Sequence, residues 1–224
     1  MSRAGGSARR RLRSVLRAAA VVTIVSAAPV PSSALPSDPP GTPESREALR
    51  TCHRAQATAG AEGEVLLERS LEQADRAIAA DDRDALAHFA RFCALGEQAR
   101  RSGASLSSLV KLWQIRDAVD RTLELAPDYS DALHGKGAFL CSVPRLLGGD
   151  PEQGERLVRR ALQIDPEYVG ARLFLAERLL ERGDRAGAES EAARALEAAE
   201  HKNDPSAIAR ATRVRDAIAA AHPN

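Results

Sequence analysis

The sequence predicts an all-α protein, a solenoid of antiparallel helix pairs closed by a capping helix, and three observations carry that expectation. One phrase occurs twice, as Thr122-Leu-Glu-Leu-Ala-Pro-Asp-Tyr-Ser-Asp-Ala132 and as Ala161-Leu-Gln-Ile-Asp-Pro-Glu-Tyr-Val-Gly-Ala171. The copies lie 39 residues apart, within the periods of helical repeat arrays. Apolar residues make up 44% of the 224 residues but aromatics only 3%, so the core must be Ala and Leu, which suits closely packed helices. No long alternating run of Val, Ile, Tyr and Phe marks a strand.

The first 34 residues predict an export signal. Arg3, Arg9, Arg10, Arg11, Arg13 and Arg17 form a basic head without acids, followed by an apolar run from Ala18 to Ala28 broken only by Thr23 and Ser26. That run is short for a bilayer span and suits a signal-peptide core, with cleavage after Ala28 or Ala34; an uncleaved anchor is the alternative. No cysteine ends the run, so a lipid anchor is not expected there. The expected location is periplasmic or secreted, with no stable membrane span after cleavage. Removing these six arginines from a chain of +1 leaves a body of about −5, which argues against a nucleic-acid partner. Residues 35–43, with Pro36, Pro39, Pro40 and Pro43, read as a linker.

Residues 44–224 read as the repeat domain. Helical periodicity predicts helices at 44–58, 64–80, 84–102, 105–125, 129–142, 151–164, 167–182, 185–200 and 205–221. Setting Ala77, Thr122, Ala161 and Ala195 in register aligns the second helix of each pair, with Ala74, Val119, Val158 and Ala192 three positions earlier. Ala87, Ala132 and Ala171 then align on the following helices. The register steps are 45, 39 and 34 residues.

The last step is the period of the tetratricopeptide repeat, and residues 169–202 resemble it closely. Leu175, Ala176, Leu179, Gly183, Ala188, Ala192 and Ala195 stand where that family places apolar and small residues. Arg172 departs from the pattern, as does Gly154 in the copy before. The expected copies are about 44–84, 85–129, 130–168 and 169–202, with a capping helix at 205–221. The joint Cys141-Ser-Val-Pro-Arg-Leu-Leu-Gly-Gly-Asp-Pro-Glu152 reads as a helix stop, a glycine turn and an N-cap with a first-turn proline. With the export signal and stretched repeats, it also resembles the T-component family of tripartite ATP-independent periplasmic (TRAP) transporters. That resemblance implies a homo-oligomer that associates with a periplasmic solute-binding protein.

The expected function is non-catalytic: an exported scaffold that binds a protein partner, with an apolar small ligand as a second class of occupant. The alternative is an enzyme, or an accessory subunit of an envelope enzyme, on a helical frame. By repeat position the partner face would present Asp131, His134, Ala138 and Cys141, then Leu173, Glu177, Leu180 and Glu181. No cofactor is expected. His53, His88, His134, His201 and His222 make no metal-binding spacing, and no Cys-x-x-Cys occurs. Gly135-Lys136-Gly137 lacks the leading glycine and the Ser or Thr of a phosphate loop. Trp113 recurs with Leu109 and Leu112 at helical spacing, which reads as core before stacking platform. Arg100-Arg101 and Arg159-Arg160 read as solvated faces. Cys93 and Cys141 fall at nearby heights on neighbouring first helices, the candidate disulfide; Cys52–Cys93 and three buried thiols are the alternatives.

Overall fold

The structure is a computed structural model that describes residues 39–102 and 106–221, the side chains of 106–110 excepted. The expected export signal and His222 lie outside the described residues. Nine α-helices occur among them: α1 (Pro43–Ala57), α2 (Gly60–Ala80), α3 (Ala85–Ser102), α4 (Leu106–Leu125), α5 (Ser130–Ser142), α6 (Pro151–Ile164), α7 (Val169–Glu181), α8 (Arg185–His201) and α9 (Pro205–Ala220). A 3₁₀ turn at Arg145–Leu147 joins α5 to α6. No strand occurs among the described residues, and no helix there is long and apolar enough to cross a membrane.

Helices pair as α1–α2, α3–α4, α5–α6 and α7–α8, and α9 covers the last pair. The residues aligned by register explain why. Ala74, Val119, Val158, Ala192, Thr122, Ala161 and Ala195 are all fully buried, and Ala77 is nearly so; Ala87, Ala132 and Ala171 are buried on the next first helices. A small side chain at the crossing lets two helix backbones approach, which a core with few bulky rings requires. Thr122 keeps its polar atom satisfied there by donating to the Ala118 carbonyl at 2.8 Å.

The approach is closest between α5 and α6. A Cβ on Gly154 would stand 2.6 Å from the Gly137 carbonyl oxygen, and one on Gly137 would stand 2.6 Å from the Gly154 oxygen. Gly154, a departure from the repeat pattern, is therefore matched by Gly137 across the contact. In an exposed helix Gly→Ala stabilises by about 1 kcal/mol. Here a backbone atom blocks the new methyl, so Gly154→Ala is expected to destabilise by about 1–3 kcal/mol. Urea unfolding at constant m-value checks the sign.

Turns and caps follow the sequence. Pro43, Pro151 and Pro205 open their helices, with Thr42, Asp150 and Asp204 accepting backbone N–H bonds as N-caps. Thr42 also donates from its backbone N–H and its hydroxyl to Asp84 Oδ2, both at 3.0 Å, tying the start of α1 to the start of α3. Arg101 corrects the reading of Arg100-Arg101 as a solvated face. Its guanidinium donates to the carbonyls of Ala55 at 2.5 Å and Thr58 at 3.0 Å, at the C-terminal end of α1. Arg172, off the repeat pattern, donates twice to the Pro166 carbonyl and pairs with Glu191 at 2.7 Å.

Coupling between pairs is uneven. α3 lies along both α1 and α2, whereas the α5–α6 pair, tight within itself, meets the helices on either side more sparsely. That difference corrects the expected Cys93–Cys141 bridge. Cys52 and Cys93 are joined, with Cα atoms 6.3 Å apart, in the contact between α1 and α3. Cys141 is a free thiol turned toward α6, close against Gly154 and donating to the Pro151 carbonyl at 3.5 Å. Burial pushes that thiol's pKa up, which keeps it protonated.

Candidate functional site

The tyrosine of the doubled phrase does the same work in both copies. Tyr129, at the N-cap of α5, sets its ring edge-on to Phe89 of α3, with centroids 4.8 Å apart. Tyr168, at the N-cap of α7, sets its ring edge-on to His134 of α5, with centroids 5.1 Å apart. Each turn thus leans back on the preceding first helix, and His134 stands in the second copy where Phe89 stands in the first.

A histidine in that place brings polar chemistry. His134 Nδ1 lies 3.1 Å from the Tyr168 hydroxyl, and Phe174 packs edge-on at 5.9 Å. Tyr168 donates its hydroxyl proton to Asp131, so the imidazole supplies the proton of the His134–Tyr168 bond. Burial pushes His134 down to about 4, and Arg210 on α9 adds to the effect. Burial and the Asp131 carboxylate push Tyr168 up. The histidine is therefore neutral near neutral pH and acts as a hydrogen-bonding ring.

Glu177 continues this face. Partial desolvation and then the neighbouring Glu181 push its carboxyl up, and Arg210 opposes them. Asp131 and His134 from α5, Tyr168 from the turn, Glu177 from α7 and Arg210 from α9 form one connected electrostatic group. Among the residues expected at the partner face, Asp131 and His134 are half-buried and Glu177 is exposed. Leu173 is not at that face as a contact residue. It is buried at 4% against α8 and α9, because the small residues Ala195, Ala199 and Ala211 draw it inward. Leu180 packs part-buried against the Ala176, Ala188 and Ile218 cluster, and Cys141 faces α6. Tyr168, Phe174 and Arg210 were not expected here. The tyrosine was legible in the repeated phrase, but only as a turn residue.

An open cleft of ≈ 740 Å³ beside the α6–α7 turn is lined by His201 on Glu167 at 2.8 Å and by Arg172 and Arg194, both paired with Glu191. Lys136 of the rejected phosphate-loop triplet lies inside α5 and pairs with Asp120 at 2.7 Å. Among the described residues no group of three or more His, Cys, Asp or Glu is placed to hold a metal ion.

Paired helices, small residues at each crossing and tyrosine-locked turns define the class as a helical-repeat solenoid. Residues 146–212, where the register is tightest, match the tetratricopeptide repeat family. A thermophilic tetratricopeptide-repeat protein of Thermus thermophilus shares the fold, with a TM-score of 0.52, 19% identity, and coverage of 76% of this chain and 98% of that one. MamA is similar at a TM-score of 0.49 and 18% identity, covering 71% of this chain and 80% of its own. No curated protein sequence matches the chain.

Proposed function

We propose that the chain is an exported, non-catalytic scaffold whose first-helix face, from Asp131 to Arg210, binds a protein partner. A tetratricopeptide-type array implies protein–protein interaction. The observation that carries the reading for this chain is the Asp131–Tyr168–His134 group, ordered by the array yet lying beside exposed Glu177 and Arg210. Its polar members bond each other and are held by the array, which suits recognition of a partner surface.

Export rests on the basic and apolar segment at the N terminus and gains support from the Cys52–Cys93 disulfide, a bond that persists in oxidising compartments. The sharper version is a T-component of a TRAP transporter, supported by the Pro144–Glu152 joint. Its test is recovery of the tagged chain from envelope extract. A co-purifying periplasmic solute-binding protein, lost on Glu177→Lys with Arg210→Glu, is the expected result. Recovery of unrelated partners alone sinks the T-component reading, and partners retained by the double variant sink the assigned face.

A further inference from the structure

The chain's single tryptophan stands in the open. Trp113 on α4 is 69% exposed, against its sequence reading as core. Leu146 and Leu147 of the 3₁₀ turn, 98% and 44% exposed, stand beside it. Leu112 and Phe139 complete an apolar hollow of ≈ 180 Å³ with Arg116 at its edge.

The strap that presents these leucines is tightly held. Leu147 N–H donates to the Pro144 carbonyl at 2.8 Å, Gly149 N–H to the same oxygen at 3.1 Å, and Asp150 N–H to the Leu140 carbonyl at 3.0 Å. The Arg116 guanidinium donates to the Gly148 carbonyl. Gly148 sits at φ +89°, and a Cβ on Gly149 would stand 1.7 Å from the Val143 oxygen. The backbone therefore fixes both leucines outward; they are not the loose end of a mobile loop.

We propose that this hollow is a second docking surface, which takes a short apolar segment of a partner protein carrying an acidic residue. Size favours a segment. Bulky apolar side chains this exposed offer roughly 400 Å² together, about half of the ~800 Å² each partner gives to a standard protein–protein interface. A second copy of the chain would be under-held by this patch, whereas a peptide with two or three apolar anchors fits it. Charge selects the acid. Arg116 lies 5.8 Å from the Trp113 ring centroid, bonds only a neutral carbonyl, and has no carboxylate partner among the described residues. Its remaining donors suit a carboxylate. The hollow is separate from the His134 face, since Phe139 follows His134 by five residues, about 140° around α5.

Because Trp113 is the only tryptophan, its fluorescence reports this site without a label. A displayed library of random short peptides is panned on the full chain, and winners are titrated while tryptophan emission is followed. Winners are expected to share apolar anchors with Asp or Glu and to shift the emission. Affinity should fall at least about tenfold in Leu146→Ser and Trp113→Ala, read for the latter by calorimetry. Both side chains are exposed, so unchanged circular dichroism shows that each variant folds. Arg116→Gln keeps a donor for the strap but removes the charge; it should lose the acidic preference, and Arg116→Lys should restore part of it. Absence of a consensus, a consensus without acids, or peptides that bind Trp113→Ala equally would overturn the proposal. So would a concentration-dependent emission shift without peptide, which would make a second copy the occupant.

Discussion

Reduction of the Cys52–Cys93 bond is expected to cost the fold about 4 kcal/mol, the chain-entropy value for a loop of 41 residues. For an array of this size that lowers the melting temperature by about 10 °C. The two helices it joins bury Cys52, Ala55 and Ala94 together with Leu67 of α2, so the bond fixes a contact that packing already forms. Thermal unfolding with and without a thiol reductant measures the loss, and Cys52→Ala with Cys93→Ala should reproduce it. Non-reducing mass spectrometry should find one free thiol, Cys141. Three free thiols, or a midpoint indifferent to reductant, would refute the pairing.

Acidification from about pH 6.5 to 4 is expected to remove up to about 3 kcal/mol through His134. The folded-state pKa lies below the unfolded one, so in this window the unfolded chain binds more protons. The contribution is fully present above the unfolded value and drains away as pH falls toward the folded value. Tyr168, Phe174 and Arg210 face the ring, and the Arg210 charge opposes an imidazolium. His134→Phe, copying Phe89 at the equivalent place, should flatten this part of the stability–pH curve. A slope that survives in the variant would mean another group carries it.

The architecture was legible because the repeat is one-dimensional information. Once Ala77, Thr122, Ala161 and Ala195 are aligned, small residues recur wherever helices must touch, and all are buried. Other features depend on distances that periodicity does not contain. Cys93 could meet a cysteine on either neighbouring first helix, and only the closer packing of α1 against α3 decides between them. Leu109, Leu112 and Trp113 keep the same spacing whether the stripe is covered or bare; coverage depends on where the strap from Pro144 runs. The phase of an average repeat points Leu173 to the partner face, yet the alanines of α8 and α9 draw it inward. Repeat position alone places His134, and the Pro-acid-Tyr phrase presents its tyrosine partner only as a turn residue.

The uneven coupling between pairs has a mechanical consequence. In a linear array, cooperativity passes only through contacts between neighbours, and the thinnest contacts set where it breaks. The α1–α4 block is fused by broad packing and a covalent bond, and α7–α9 closes on itself at the other end. Between them α5–α6, rigid at its glycine crossing, is a stiff link with a compliant joint on either side. His134 and Phe139 both ride on that link. The first surface thus spans the joint between α5–α6 and α7, with Asp131 on one side and Glu177 and Arg210 on the other. The hollow spans the joint between α4 and α5, with Trp113 on one side and Phe139 on the other.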